Sequence, residues 1–172
     1  WLTYFYETQG INAWVKAKTP YFFTSNCFLA NQYATMIRTY IQELHQHNKL
    51  NCNEPITLYE LGAGHGLFSF YLLKKLHEHP TPLPCAINYV ILDNAQKNLD
   101  FCQQHQIFNC FNTAQCTVTF KQITFLKLQA YQTAFKPQKN PSILLANYIF
   151  DSLPTDLLAL SNKQCAPIAL TI

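Results

Sequence analysis

Apolar residues recur along this chain at two spacings, and the alternation between them lays out an order of helices and strands. From Trp1 to Ala17, the residues Leu2, Phe5, Tyr6, Ile11, Trp14 and Val15 follow a helical spacing that is interrupted near Gly10 and closed by Pro20. A second helix is predicted from the capping residues Ser25 and Asn26 to about His47, with Phe28, Tyr33, Met36, Ile37, Tyr40, Ile41 and Leu44 at helical intervals. Residues 48–55 read as a loop. Ile56 to Leu61 forms a short strand, followed by three glycines and a helix from Leu67 to His79 that Pro80, Pro82 and Pro84 stop. Ala86 to Asp93 is apolar nearly throughout, as strands of a parallel sheet covered on both faces tend to be. A helix is expected over Ala95 to Gln104, a third strand over Val118 to Phe125, a fourth over Ser142 to Asn147, and the start of a fifth over Ala166 to Ile172. Strands alternating with helices predict right-handed βαβ units and a doubly wound, mainly parallel α/β sheet. Residues 1–50 form an N-terminal helical extension to it, and no internal repeat or low-complexity tract interrupts the order.

Composition narrows the function classes. With 172 residues and 49% hydrophobic content the chain suits one well-buried domain. A formal charge of +3, only 12% charged residues and no cluster of Lys and Arg argue against a nucleic-acid partner. The 14 Gln and 14 Asn supply much of the polar surface that Lys and Glu usually supply. Seven cysteines, odd in number, without CxxC spacing and mainly among apolar residues, predict reduced thiols and a cytoplasmic setting. No apolar run approaches the ~18 residues needed to cross a bilayer. The oligomeric state is not legible.

The segment between the first strand and its helix carries the candidate chemistry. Glu60, Gly62, Ala63, Gly64, His65 and Gly66 sit where glycines permit positive φ and let a ligand approach the backbone. A nicotinamide fingerprint would place a third glycine at position 67, which is Leu67, and no Lys-Ser or Lys-Thr follows to make an ATP loop. The remaining pattern, ExGxGxG at the end of a strand, resembles motif I of the class I S-adenosylmethionine (SAM) dependent methyltransferases. That resemblance implies a Rossmann-like, SAM-binding domain over residues 51–172. It implies that Gly62, Ala63, Gly64 and Gly66 pass under the methionine part of the cofactor, and that Glu60 helps hold its amino group. A carboxylate beside the loop suits a sulfonium and an ammonium better than a pyrophosphate. The competing account is a glycine-rich turn whose Glu60 caps the helix.

Asp93 closes the second strand, where a carboxylate accepts hydrogen bonds from ribose hydroxyls, with Asn94 beside it; capping of the next helix is the alternative. After the third strand the family often places an acid near the adenine amine. Here Gln122 stands in that region, either meeting an adenine edge or lying on the surface. The fourth strand continues SILLANYIFDSLP, which resembles the ANEFFDALP segment of the MidA-like methyltransferases, a family that includes complex I assembly factors modifying protein arginine. The resemblance covers roughly residues 20–155. It implies that Asn147 and Asp151 orient the nucleophile, although both also suit helix capping. The family's Glu after Asn is Tyr148 here, and the Arg among its glycines is His65. The pattern supplies fewer strands than a full sheet of that family, so further strands are expected beyond Ile172.

Other clusters are weaker. His45 and His47, like His77 and His79, lie two apart on helices and face different sides, so no metal site is expected. The aromatics Trp1, Tyr4, Phe5, Tyr6, Trp14, Tyr21, Phe22 and Phe23 suit either a lid over the cofactor or core packing of the extension. Ser69 and Ser152 lack a hydrolase elbow. The expected function is SAM-dependent methyl transfer to an unidentified acceptor, a protein side chain or a small molecule. The alternatives are a catalytically silent SAM-binding or assembly protein and, with less support, a nicotinamide-dependent oxidoreductase.

Overall fold

The computed structural model describes residues 2–124, 135, 138–150, 158–161 and 164–167. Two short helices open the chain, α1 (Leu2–Gln9) and α2 (Asn12–Val15), separated as expected at Gly10, whose φ is +51°. The long helix α3 (Cys27–Gln46) starts at Asn26, whose extended backbone and side-chain oxygen accepting from Leu29 N at 2.8 Å make a standard N-cap. Its buried stripe is Ala30, Ala34, Ile37, Ile41 and Leu44, a spacing of three and four. Phe28, Met36 and Tyr40, counted above with the helical pattern, instead face solvent, because the two alanines let the helix approach its neighbours on that side.

Four strands, β1 (Ile56–Leu61), β2 (Ile87–Asp93), β3 (Cys116–Gln122) and β4 (Ile143–Leu145), form one parallel sheet in the order β3-β2-β1-β4. Between them run α4 (Leu67–His77), α5 (Gln96–Gln104) and a 3-10 helix (Gln106–Phe111). All six residues of β1 are buried, as a central strand requires. Edge strand β3 begins two residues before the expected Val118 and stops at Gln122, and β4 is confined to the centre of its expected span. The expected fifth strand is corrected. β5 (Leu158–Ser161) and β6 (Gln164–Pro167) make a separate antiparallel hairpin, in which Leu158 faces Pro167, and they do not join the parallel sheet. The rest of that expected strand lies outside the described residues.

The two faces of the sheet bury different side chains. Ile56, Leu58, Ile87, Tyr89 and Ile91 pack with α3 and α4 in the larger core, whereas Tyr59, Leu61 and Leu92 pack with Ile123 and Ile149 on the other face. The parallel register pairs Glu60 with Ile91 and with Leu145, so the C-terminal ends of β1, β2 and β4 lie level. The strand order reverses between β1 and β4. In open α/β sheets that switch point is where ligands bind.

Candidate functional site

Glu60, the penultimate residue of β1, is buried beside Tyr89 of the larger core, 4% exposed, and its Oε2 accepts from the Tyr89 hydroxyl at 2.5 Å. The Ser69 hydroxyl, fully buried on α4, faces the same carboxyl without a well-formed hydrogen bond of its own. Burial pushes the Glu60 pKa up to about 7, against the lowering effect of these hydroxyls, with Asp93 adding a smaller upward push. Tyr89 is held well above its ordinary range by burial and by Glu60, so it remains the donor.

The glycine loop is tied to β2 from both sides. Gly62 N and Ala63 N donate to Leu92 O at 2.8 and 3.3 Å, and Gly64 N donates to Asp93 Oδ2 at 2.7 Å. Asp93 Oδ1 accepts from Ala95 N at 2.8 Å and from Asn98 Nδ2 at 3.2 Å. Asp93 therefore anchors the start of α5 and the glycine loop together. A carboxylate offers about four lone-pair sites, and three of Asp93's are taken by these bonds. One site, on Oδ2, has no partner among the described residues. Burial raises the Asp93 pKa, and the three hydrogen bonds oppose that rise.

The space over the loop is shaped by side chains that the sequence did not assign. Gly64, at φ +58°, faces the Trp14 indole, and a Cβ added there would lie 2.7 Å from Cζ2. Gly62, at φ +69°, faces the tip of Ile149, which such a Cβ would overlap. Gly66 precedes α4 against Cys102 and Phe108. Trp14, 8% exposed, stacks on His65 with ring centroids 5.0 Å apart and planes 5° from parallel, and on Tyr6 at 5.4 Å. Tyr21 meets His65 edge-on. Within this stack His65 Nε2 has no hydrogen-bond partner, and burial lowers the His65 pKa to about 4. The imidazole is neutral at physiological pH, so it brings no charge to the loop. The N-terminal segment is fixed to α5 by Gln96 N donating to Glu7 Oε1 at 2.7 Å. Of the aromatics weighed as lid or core, Trp14 covers the loop, whereas Tyr4, Phe22 and Phe23 are exposed.

The remaining candidates lie around this centre. Gln122 Nε2 donates to Asn94 O at 3.0 Å, which brings together the two residues expected near the adenosine. Asn147, just past β4, donates through Nδ2 to Thr24 O at 2.9 Å and so ties the strand end to the loop before α3. Next to it Tyr148 takes a left-handed backbone, φ +52°, with its ring exposed. A bulky residue there is strained, as often happens at ligand sites. Asp151 lies outside the described residues. Among the described residues no cluster of His, Cys, Asp and Glu could hold a metal ion, and no helix is long and apolar enough to cross a membrane.

A family described as "Putative S-adenosyl-L-methionine-dependent methyltransferase" matches residues 36–171. The chain belongs to this family. The match takes in Glu60, the three loop glycines, Asp93 and Asn147, and it leaves out α1 and α2, which carry Trp14. A crystal structure of the CurJ carbon methyltransferase is similar to 66% of this chain at 18% identity and a TM-score of 0.43. The chain spans 26% of that protein's length. No curated protein matches.

Two carboxyls beside a glycine-rich backbone are compatible in kind with SAM, and Gly62 and Gly64 carry no Cβ, the space this leaves being taken by Ile149 and Trp14. The approach to Gly64 passes the Trp14 indole.

Proposed function

We propose that this chain binds SAM over residues 60–66 and transfers its methyl group to a nucleophile presented at the end of β4. The observation that carries the reading is the link from Asp93 to Gly64 N, which sets an acid at the end of β2 against the glycine loop at the sheet's switch point. The bound cofactor supplies an activated methyl on its sulfonium, so the protein's task is placement. Asp93 offers its remaining Oδ2 site to one ribose hydroxyl. Glu60, whose carboxyl titrates near neutrality, ionises more readily beside a cation and so favours SAM over a neutral ligand. Gln122 and Asn94 border the adenosine end. Trp14 lies over Gly64 and moves aside for SAM to reach the loop, and Asn147, with Asp151, orients the acceptor. The acceptor we favour is a protein side chain, as in the MidA-like methyltransferases, and the exposed rings of Phe22, Phe23, Tyr148 and Phe150 on the segments flanking Asn147 and Thr24 suit a macromolecular partner.

One observation favours the catalytically silent reading: the Asn147 amide is already engaged by Thr24 O. Calorimetric titration with SAM, S-adenosylhomocysteine and NAD tests cofactor choice. Binding of NAD without SAM overturns the proposal. Release of S-adenosylhomocysteine in the presence of a cell protein extract separates an active enzyme from a silent one. In an active enzyme Asn147→Ala lowers turnover at least about tenfold while leaving SAM affinity unchanged.

A further inference from the structure

The N-terminal ends of β2 and β3, at the opposite edge of the sheet from the glycine loop, open onto a cleft of about 420 Å³. Arg38 of α3, the end of α4, the turn after it and the turn leading into β3 all contribute to its walls. Arg38 is 5% exposed, and burial lowers its pKa. Through Nη2 it donates to Thr81 O, its one hydrogen bond among the described residues. A guanidinium carries five donors. A charge this covered is normally paired with an opposite one, because an unpaired one is costly, and the other guanidinium nitrogens are not sealed from solvent, which leaves them open to a partner from outside the chain. Arg38 has no such partner among the described residues, where the ion pairs are Lys74 with Glu78 and Lys139 with Glu54.

The cleft itself holds nothing to offset that charge. No Asp or Glu lines it, and Glu78, the acid next in sequence to its wall, is turned to Lys74. The two thiols in the wall, Cys85 and Cys116, are kept protonated by burial, which pushes Cys116 up to about 11. His77 and His79 also line it. Leu76, Pro82 and Phe111 give the rest of the wall an apolar character. An apolar cleft of this size with one convergent charged group is the usual form of a small-molecule site.

We propose that this cleft binds a small organic oxyanion, a carboxylate or phosphate borne on an apolar body, with the Arg38 guanidinium as its charge anchor. The site is independent of methyl transfer. It sits at the Ile87 end of β2, and the glycine loop sits at the Asp93 end, roughly 20 Å away along the strand at ~3.3 Å per residue.

The test is titration of the full chain, by calorimetry and protein-observed NMR, with phenyl phosphate and benzoate, and with benzyl alcohol as the neutral counterpart. At least one of the two anions binds saturably in the millimolar range or tighter, about tenfold or more above benzyl alcohol, and shifts resonances of residues 76–83 and 111–116. Arg38→Gln weakens that binding about tenfold or more, the usual scale of a lost charge-assisted contact. Should Arg38→Gln fail to fold, Ala114→Trp at the exposed rim carries the same expectation by filling the mouth while keeping the charge. The proposal is overturned if neither anion binds saturably up to about 10 mM, if benzyl alcohol binds as well, or if a folded variant keeps wild-type affinity. SAM titration of Arg38→Gln is expected to match wild type, so failure here and failure of the methyltransferase reading are separable.

Discussion

Replacing Glu60 with Gln tests the electrostatics of the loop most directly. Burial lifts the Glu60 pKa from 4.5 to about 7. An acid whose folded pKa lies above its unfolded one holds more protons when folded, so its ionisation opposes folding. Stability therefore falls as the pH rises from about 4.5 to about 7 and is level above that. At about 1.4 kcal/mol per pH unit, the ionised carboxylate costs the folded state about 3 kcal/mol at pH 8. In Glu60→Gln the amide oxygen can still accept from Tyr89, and the amide N–H gains an acceptor in the otherwise unpartnered Ser69 Oγ. Urea denaturation of both proteins at pH 5 and pH 8 gives the comparison. We expect near-equal stability at pH 5 and a variant more stable by about 3 kcal/mol at pH 8. A difference that does not change with pH refutes the reasoning, as does a variant that is the weaker protein at pH 8. SAM affinity adds a second readout: it rises between pH 6 and 8 in wild type, where a cation competes with the Glu60 proton, and stays flat in the variant.

Asp93→Asn turns an acceptor into a donor facing Gly64 N or Ala95 N; we expect a loss of about 2–3 kcal/mol in denaturant unfolding together with loss of SAM binding. Trp14→Ala removes the indole over Gly64; stability drops by about 3 kcal/mol, yet stopped-flow measurement shows SAM associating faster, and an unchanged or slower rate means that Trp14 is not in the cofactor's way. His65→Phe keeps the stack with Trp14 and removes a group whose pKa falls from 6.5 to about 4 on folding. Wild type loses stability as the pH drops from about 6.5 towards 4, because the unfolded chain takes up the proton first, and the variant lacks up to about 2 kcal/mol of that loss once solvent screening at a half-buried ring is allowed for; melting curves at pH 4.5 and 7 measure it.

What the sequence disclosed and what it withheld follow from the range of the interactions involved. Strands β1 and β2 were legible because a central parallel strand is apolar on both faces, and the loop because Gly62, Gly64 and Gly66 stand between a strand and a helix. The hairpin of β5 and β6 was not, since a short run such as Leu158–Ser161 does not reveal its partner. The helix α3 was legible from its spacing but its buried face was not, because Ala30 and Ala34 carry little hydrophobic signal yet permit close approach, whereas Phe28 and Met36 carry much and face out. The candidate site divides along the same line. Asp93 and the glycines were found from local spacing. The Tyr89 hydroxyl on Glu60 depends on sheet register, and Trp14 over Gly64 depends on a contact across fifty residues of sequence. These long-range contacts alter the chemistry assigned to the loop. The Glu60 carboxyl, read as a partner for a cation, has its pKa pushed up to about 7 by burial, and Gly64, expected to make room for a ligand, makes room first for an indole. On the proposed reading the same absence of a Cβ has to serve both partners: Trp14 and the cofactor would compete for one surface, and the energy of the Trp14–His65 stack would be subtracted from the affinity for SAM.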